Sequence, residues 1–186
     1  MKITKNTVVG LWEHMLKTYK TRWHYKPTNK RMKRFRRLVI LFRVMPKEQF
    51  DKFSMSLPND IYIIYRYADK GTQEQYTRRI ENCVHEHVHC YDGVNYWKYL
   101  LSKAYRIDRE IEAYKANMVM RWVCTGKFLN PGHLANGLKR YKASKKQVEK
   151  AKKEFELTNH YIRVSAFARF HPVVRQAVWY LWENGV

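Results

Sequence analysis

Hydrophobic positions along the chain repeat with two different periods, and these divide it into elements. Trp12, Leu16, Tyr19 and Trp23 recur at spacings of three and four, which predicts an amphipathic helix over residues 7–24 with Thr7 as its N-cap. Pro27 and Asn29 break that pattern. A basic run from Lys30 to Arg37 leads into the short apolar stretch 38–44, stopped by Pro46, which reads as a strand. Residues 47–53 read as a short helix, and Leu57-Pro58-Asn59-Asp60 as a loop. Residues 61–67 are almost entirely β-branched or aromatic and predict a strand ended by Lys70-Gly71.

Beyond this point the helical period dominates. Thr72 has the character of an N-cap, and the helix it opens runs to about Cys90, where Asp92-Gly93 stops it. Residues 95–103 and 105–123 are further helical segments, ended near Thr125-Gly126. Asn130-Pro131-Gly132 reads as a turn, followed by helices over 133–141 and 144–158. Pro172 opens a last helix with Val173, Val174, Ala177, Val178 and Leu181 on its apolar side. The fold class this predicts is α+β: mostly helical, with a small antiparallel or mixed sheet.

One helix carries unusual chemistry. Its Cys83-Val84-His85-Glu86-His87-Val88-His89-Cys90 stretch contains His85-Glu86-x-x-His89, an H-E-x-x-H pattern. On a helix, positions i and i+4 project to one side, so two imidazoles can bind one Zn²⁺ while the Glu beside the first faces the attacking water. At 100° per residue, Tyr76, Ile80, Val84, Val88 and Tyr91 form an apolar stripe. His85 and His89 then lie together on its flank, about 40° apart. On the next long helix, Ile107, Ile111, Tyr114, Met118 and Trp122 make the stripe. Glu112 borders that stripe beside Ala116 and Val119, where a half-buried carboxylate needs a partner; Glu110, on the other flank, is the competing choice. Other readings of the cluster are a strand with three alternating histidines, a structural zinc site using Cys83 or Cys90, and a polar helix face without metal.

The order of these motifs resembles the gluzincin class of zinc metallopeptidases. More closely, His85-Glu86-His87-Val88-His89, then Tyr96-Trp97-Lys98-Tyr99-Leu100-Leu101-Ser102, then Glu110-Ile111-Glu112-Ala113-Tyr114 resembles small bacterial and phage zincin-like proteins that read H-E-x-x-H, a "YLLS" stretch, and E-x-E-A-Y. The resemblance covers roughly residues 60–123. It implies Zn²⁺ on His85, His89 and Glu112, because the Glu before Ala-Tyr is the third ligand in that pattern. It also implies Glu86 as general base in peptide-bond hydrolysis. Tyr114, Tyr91 and His87 are the candidates for an oxyanion donor. Cleavage of peptidoglycan cross-links is a further possibility within this chemistry. On this reading residues 48–138 form a zincin-like core. Residues 1–47 add a basic helix and strand, and 139–186 a basic helix and a C-terminal helix, packed as one globular unit.

Charge changes the picture in one respect. The 186 residues carry a net charge of +21. Residues 1–47 hold 14 Lys/Arg and one acid, and residues 139–153 hold eight and one, so nearly all the excess lies in two segments. Lys30, Arg31, Lys33, Arg34, Arg36 and Arg37 interleave with Met32 and Phe35, and Lys139, Arg140, Lys142, Lys145 and Lys146 surround Tyr141. Such a field favours anionic partners: nucleic acid, an acidic membrane surface or an acidic protein. Proteases that cut proteins on DNA combine both properties, although their third zinc ligand is a histidine. The alternative function is a nucleic-acid-binding or phage virion structural protein with a vestigial zinc site. No apolar run is long enough to span a bilayer and no signal peptide is evident. Together with three cysteines, an odd number, this predicts a cytoplasmic setting: the host cytoplasm, or a virion if the protein is phage-encoded.

Overall fold

A computed structural model describes residues 2–42, 44, 47–52 and 54–185. The chain opens with α1 (Lys5–Thr18), β1 (Arg22–Tyr25), α2 (Lys30–Leu41), α3 (Lys47–Phe50), β2 (Met55–Leu57) and β3 (Asp60–Ile63). It continues through α4 (Gln73–Tyr91), α5 (Tyr96–Leu101), α6 (Lys103–Thr125), α7 (Pro131–Gly137), α8 (Lys145–Arg163) and α9 (Pro172–Glu183). A 3₁₀ turn at Leu138–Tyr141 joins α7 to α8. The fold is α+β and mostly helical, with one three-stranded mixed sheet among the described residues.

The sheet has the order β1-β3-β2, with β3 parallel to β1 and antiparallel to β2. All four residues of β3 are buried, so the strand is central in packing as well as in order. Its first residue, Asp60, accepts from Arg22 Nε (3.1 Å) and Arg31 Nη1 (3.0 Å) and pairs with His24 Nε2 (2.8 Å). One carboxylate thereby ties β1 and α2 to the sheet. Pro58 and Asn59 join β2 to β3, and the φ of 60° at Asn59 is what position i+2 of a type II turn demands.

Helix α4 lies at the centre and packs against α1, α6, α9 and β2. Thr72 caps it as the sequence predicts, in a capping box with Gln75, and Gly93 (φ 61°) follows its end. Being surrounded, α4 buries far more than one stripe: Thr77, Arg79, Glu81, Glu86, His87 and His89 are buried along with Ile80, Val84 and Val88. The pairing of α4 with α6 is reinforced by Arg121. Its Nε donates to Glu81, its Nη2 reaches Glu81 Oε2 (3.2 Å), and its Nη1 reaches Glu74 Oε2 (2.7 Å).

Several boundaries differ from the sequence reading, each for a physical reason. The first helix ends at Thr18 rather than 24, because Lys20 turns left-handed (φ 51°) and Arg22–Tyr25 find strand partners in β3. Its cap is Thr4, with Thr7 closing the capping box. The stretch 38–44 is not a strand. Met32, Phe35 and Val39 bury at helical spacing, so the basic run and the start of the apolar run form one helix, α2. The stop at Pro46 lies outside the described residues. The strand expected over 61–67 is Asp60–Ile63, and β2 is too short to show a period of its own. Asn130 is an N-cap and Pro131 the first residue of α7, so that turn is a helix start. No helix among the described residues is long and apolar enough to cross a membrane.

The Arg121 cluster generates one stability prediction. Arg121→Ala leaves the buried Glu81 carboxylate without its cation. The expected cost is on the order of 2 kcal/mol in urea unfolding at pH 8, from the loss of a largely buried pair. A change within experimental error would remove this cluster from the forces holding α4 to α6.

Candidate metal centre

The floor of the site is the contact between α4 and α6. His85 and His89, one turn apart on α4, direct Nε2 at the carboxylate of Glu110 on α6. His85 Nε2 lies 3.7 Å from Glu110 Oε2 and His89 Nε2 lies 3.6 Å from Oε1. All three side chains are at least 88% buried, and one ligand atom from each falls within 4.8 Å of the others. Ligand atoms around a tetrahedral cation with bonds of about 2.0–2.1 Å stand roughly 3.3–3.4 Å apart. The trio has that spacing with a little slack.

This geometry is not an ordinary salt bridge. Burial first, and then the neighbouring His89, push His85 down to about 4, while Glu110 and Asn117 act in the opposite direction. Burial does the same to His89, also to about 4. At neutral pH both rings are therefore uncharged, with lone pairs available and no positive charge to offer Glu110. The carboxylate receives a hydrogen bond from Tyr99 Oη at Oε1 (2.7 Å), and its Oε2 has no hydrogen-bond partner among the described residues. Two neutral imidazoles converging on a buried, half-satisfied carboxylate form a donor set that suits a divalent cation.

A second layer holds these groups. Tyr99 comes from α5, and the buried Arg106 donates to the main-chain carbonyls of Tyr99 and Leu100, which fixes that helix end over α6. Asn117, two turns beyond Glu110, stands near His85 and favours its charged form; Asn117 Oδ1 and His85 Nδ1 are both buried, and neither has a hydrogen-bond partner among the described residues. Neither Tyr99 nor Asn117 was identifiable from sequence. Asn117 carries only the weak signal of lying seven residues after Glu110, on the same helix face.

Glu86 is buried beside this trio and reaches toward β2. Its Oε2 has no hydrogen-bond partner. Burial, with the nearby Glu110 charge adding to it, pushes Glu86 up to about 8, opposed by Ser56 and Lys26. Lys26 is itself buried, with Nζ donating to the Phe50 carbonyl and lying 3.8 Å from the Phe50 ring centre. Tyr114 closes another side, its ring 5.3 Å from that of His85. Burial raises the Tyr114 hydroxyl well above its ordinary range, so it remains a proton donor throughout the neutral range. These residues line a cleft of about 410 Å³, bounded also by β2, Tyr141 and Arg140.

The other candidates of the sequence reading sit elsewhere. Glu112 is not in the cluster. Its carboxylate pairs with Lys115 Nζ (2.6 Å) and lines a separate cavity on the α8 side of α6. The two carboxylates part because α6 is buried on two faces, one against α4 and one against α8 and α9. A single stripe therefore does not define its inside, and Glu110 is the more buried of the two, at 3% exposure. His87 faces α1: its Nδ1 approaches the Cys83 carbonyl (2.7 Å), its Nε2 pairs with Thr21 Oγ1 (3.0 Å), and Trp12 and Tyr19 pack on its ring. It is a core residue, unavailable to an oxyanion. Tyr91 is half exposed and packs on Tyr19 and His171. Cys83 and Cys90 are free thiols outside the trio.

The basic residues divide into two sets. Lys30, Arg31, Lys33, Arg34 and Arg37 are exposed along α2, and Lys139, Lys142, Lys145 and Lys146 along the second segment. Arg36 is partly covered and pairs with Asp51 (2.7 Å), while Arg140 enters the cleft wall. Compared with known proteins, the chain matches no family model, no curated protein and no solved structure.

Two measurements test this geometry. Tyr99→Phe removes the one hydrogen bond to Glu110 found among the described residues and is expected to weaken metal affinity by about 10-fold, read by competition with a chromophoric chelator, without changing the fold. An unchanged affinity would mean that Glu110 is positioned by packing alone. The second concerns Glu86 in metal-free protein. Its carboxyl ionises near 4.5 unfolded but about 8 native, so between those values the native state holds a proton that the unfolded chain has released. Its contribution to stability is complete below pH 4.5 and is lost as pH rises through 8. In chelator, Glu86→Gln should therefore gain on wild type from pH 5 to pH 8, reaching on the order of 1–3 kcal/mol in urea unfolding. A difference that does not vary with pH would show that the native carboxyl is already ionised.

Proposed function

We propose that the protein is a zinc-dependent peptidase whose metal is held by His85, His89 and Glu110. The observation that carries this reading is the buried Glu110 carboxylate facing two uncharged imidazoles, with a further carboxyl, Glu86, beside them in an open cleft. Two nitrogen donors and one oxygen donor match catalytic zinc sites, which use three protein ligands and leave a position for substrate or water. Zinc bound there supplies Lewis acidity and makes a nearby water acidic.

The chain's own residues do the rest. Glu86, one residue after a ligand and free at Oε2, accepts the proton of the attacking water and returns it to the leaving amine. Tyr114, protonated throughout the neutral range, is placed to donate to the oxygen that becomes negative as the carbonyl is attacked. The cleft wall includes Met55, Ser56 and Leu57 of β2, and among the described residues this strand pairs on one edge only, with β3. Its other edge offers main-chain groups to an extended peptide.

Metal content and cleavage test the proposal together. Wild-type protein purified without chelator is expected to hold about one zinc per chain, and His89→Ala and Glu110→Ala to lose it. Glu112→Ala is expected to retain it. Glu86→Gln should keep the metal and lose cleavage of a mixed peptide library by about 10²–10⁴-fold. Well-folded wild type that takes up no zinc would overturn the reading, and undiminished cleavage by Glu86→Gln would remove that residue from the mechanism.

A further inference from the structure

Helix α4 grips the chain at both ends of strand β2. Asn82 Nδ2 donates to Ser54 Oγ just before the strand (2.9 Å), and Cys90 Sγ approaches the Leu57 carbonyl at its end (3.7 Å). Asn82, Glu86 and Cys90 follow one another at intervals of four, so they form a row along one side of the helix. Two strand residues advance roughly 6.6 Å, and four helical residues advance about 6 Å. Strand and helix therefore keep step. Ser54 lies opposite Asn82, and Ser56, two residues on, falls beside Glu86, one turn on.

The same contact settles which way Ser56 faces. Side chains two apart on a strand share a face, and Ser54 meets α4, so the Ser56 hydroxyl also turns toward α4. Pairing with the buried Ile61 of β3 holds it in that register. Ser56 Oγ and Glu86 Oε2 are both buried, and neither has a hydrogen-bond partner among the described residues. Ser56 favours the charged form of the Glu86 carboxyl, as a hydroxyl donor nearby does. Both residues line the cleft that holds the metal trio. A buried hydroxyl without a fixed partner costs free energy that an apolar side chain on this face would not.

We propose that Ser56 is a positioning residue for Glu86: its hydroxyl donates to the ionised carboxylate and fixes the orientation in which that carboxylate meets the attacking water, while Asn82 and Cys90 hold the strand in the register that delivers it. The role of Glu86 as base rests on the peptidase reading; the contact with Ser56 does not. A carboxylate has about four lone-pair positions, so one hydrogen bond from Ser56 leaves room for the water.

Kinetics and stability test the two parts separately. With a peptide that zinc-supplemented wild type cleaves, Ser56→Ala is expected to lower kcat by about 10-fold, with KM and zinc content unchanged. Ser56→Thr, which keeps the hydroxyl and suits a strand, should restore most of the rate. Asn82→Ala, which releases Ser54, should lower kcat by a smaller factor. The contact itself is read without cleavage, from urea unfolding of Ser56→Ala, Glu86→Met and the double variant in chelator. Methionine is similar in length to glutamate and has no oxygen to receive the hydroxyl. The effects on the unfolding constant are expected to be non-additive by at least about 3-fold. Additive effects would overturn the proposal, as would wild-type kcat in Ser56→Ala or a loss that Ser56→Thr does not restore. If the two positions are coupled but zinc-loaded wild type cleaves no peptide, the peptidase reading fails while the contact between Ser56 and Glu86 stands.

Discussion

The structure turns on a carboxylate buried between two helices. Glu110 stands where α6 meets α4, at a position that packing alone would fill with a residue like the flanking Ile107 and Ile111. Removing a carboxylate from water costs several kcal/mol unless something compensates it. Here the compensation within the chain is partial: one tyrosine hydroxyl and two imidazoles that burial keeps uncharged. Much of the surrounding architecture serves this arrangement. Helix α5 brings Tyr99 over Glu110, Arg106 secures its end, and Asn117 stands near His85. A fold that gathers this many polar groups around one incompletely satisfied carboxylate gives up stability there, and such a sacrifice is characteristic of a functional site.

That also explains which parts were legible in the sequence. Helix α4 could be read almost to the residue because its signals are local: Thr72 with Gln75 at one end and Asp92-Gly93 at the other. The same is true of the i, i+4 pair His85 and His89, which any helix places side by side. The third member of the trio could not be read this way. Choosing between Glu110 and Glu112 depends on which face of α6 meets α4, and that is decided by α8 and α9, elements more than twenty residues away in sequence. The resemblance to E-x-E-A-Y proteins selected Glu112, whereas the packing puts Glu110 in the trio. The missed strand β1 failed for a similar reason. Arg22–Tyr25 is extended only because β3 lies alongside, and nothing in its own four residues distinguishes it from the end of a helix.

The basic segments show the limit of reading composition as surface. Taken alone, residues 30–37 and 139–146 are charge runs, and charge runs are commonly solvated faces. In the fold each carries one or two residues that turn inward to the cleft: Phe35 from the first, Arg140 and Tyr141 from the second. Interleaving apolar and aromatic residues with the charges is what makes this possible, since each segment buries one side and leaves the other exposed. The Asp60 cluster does the anchoring for α2, binding Arg31 of that helix and Arg22 and His24 of β1 at one buried carboxylate.

These features bear on one another through the field they share. Arg140, in the wall of the cleft, favours negative charge on its neighbours Tyr114 and Tyr141. Lys26, buried behind Glu86, acts in the same direction from the other side. Burial and the nearby Glu110 charge act against it, so the Glu86 carboxyl stays raised, to about 8. A cation placed on the trio would favour the ionised form of Glu86.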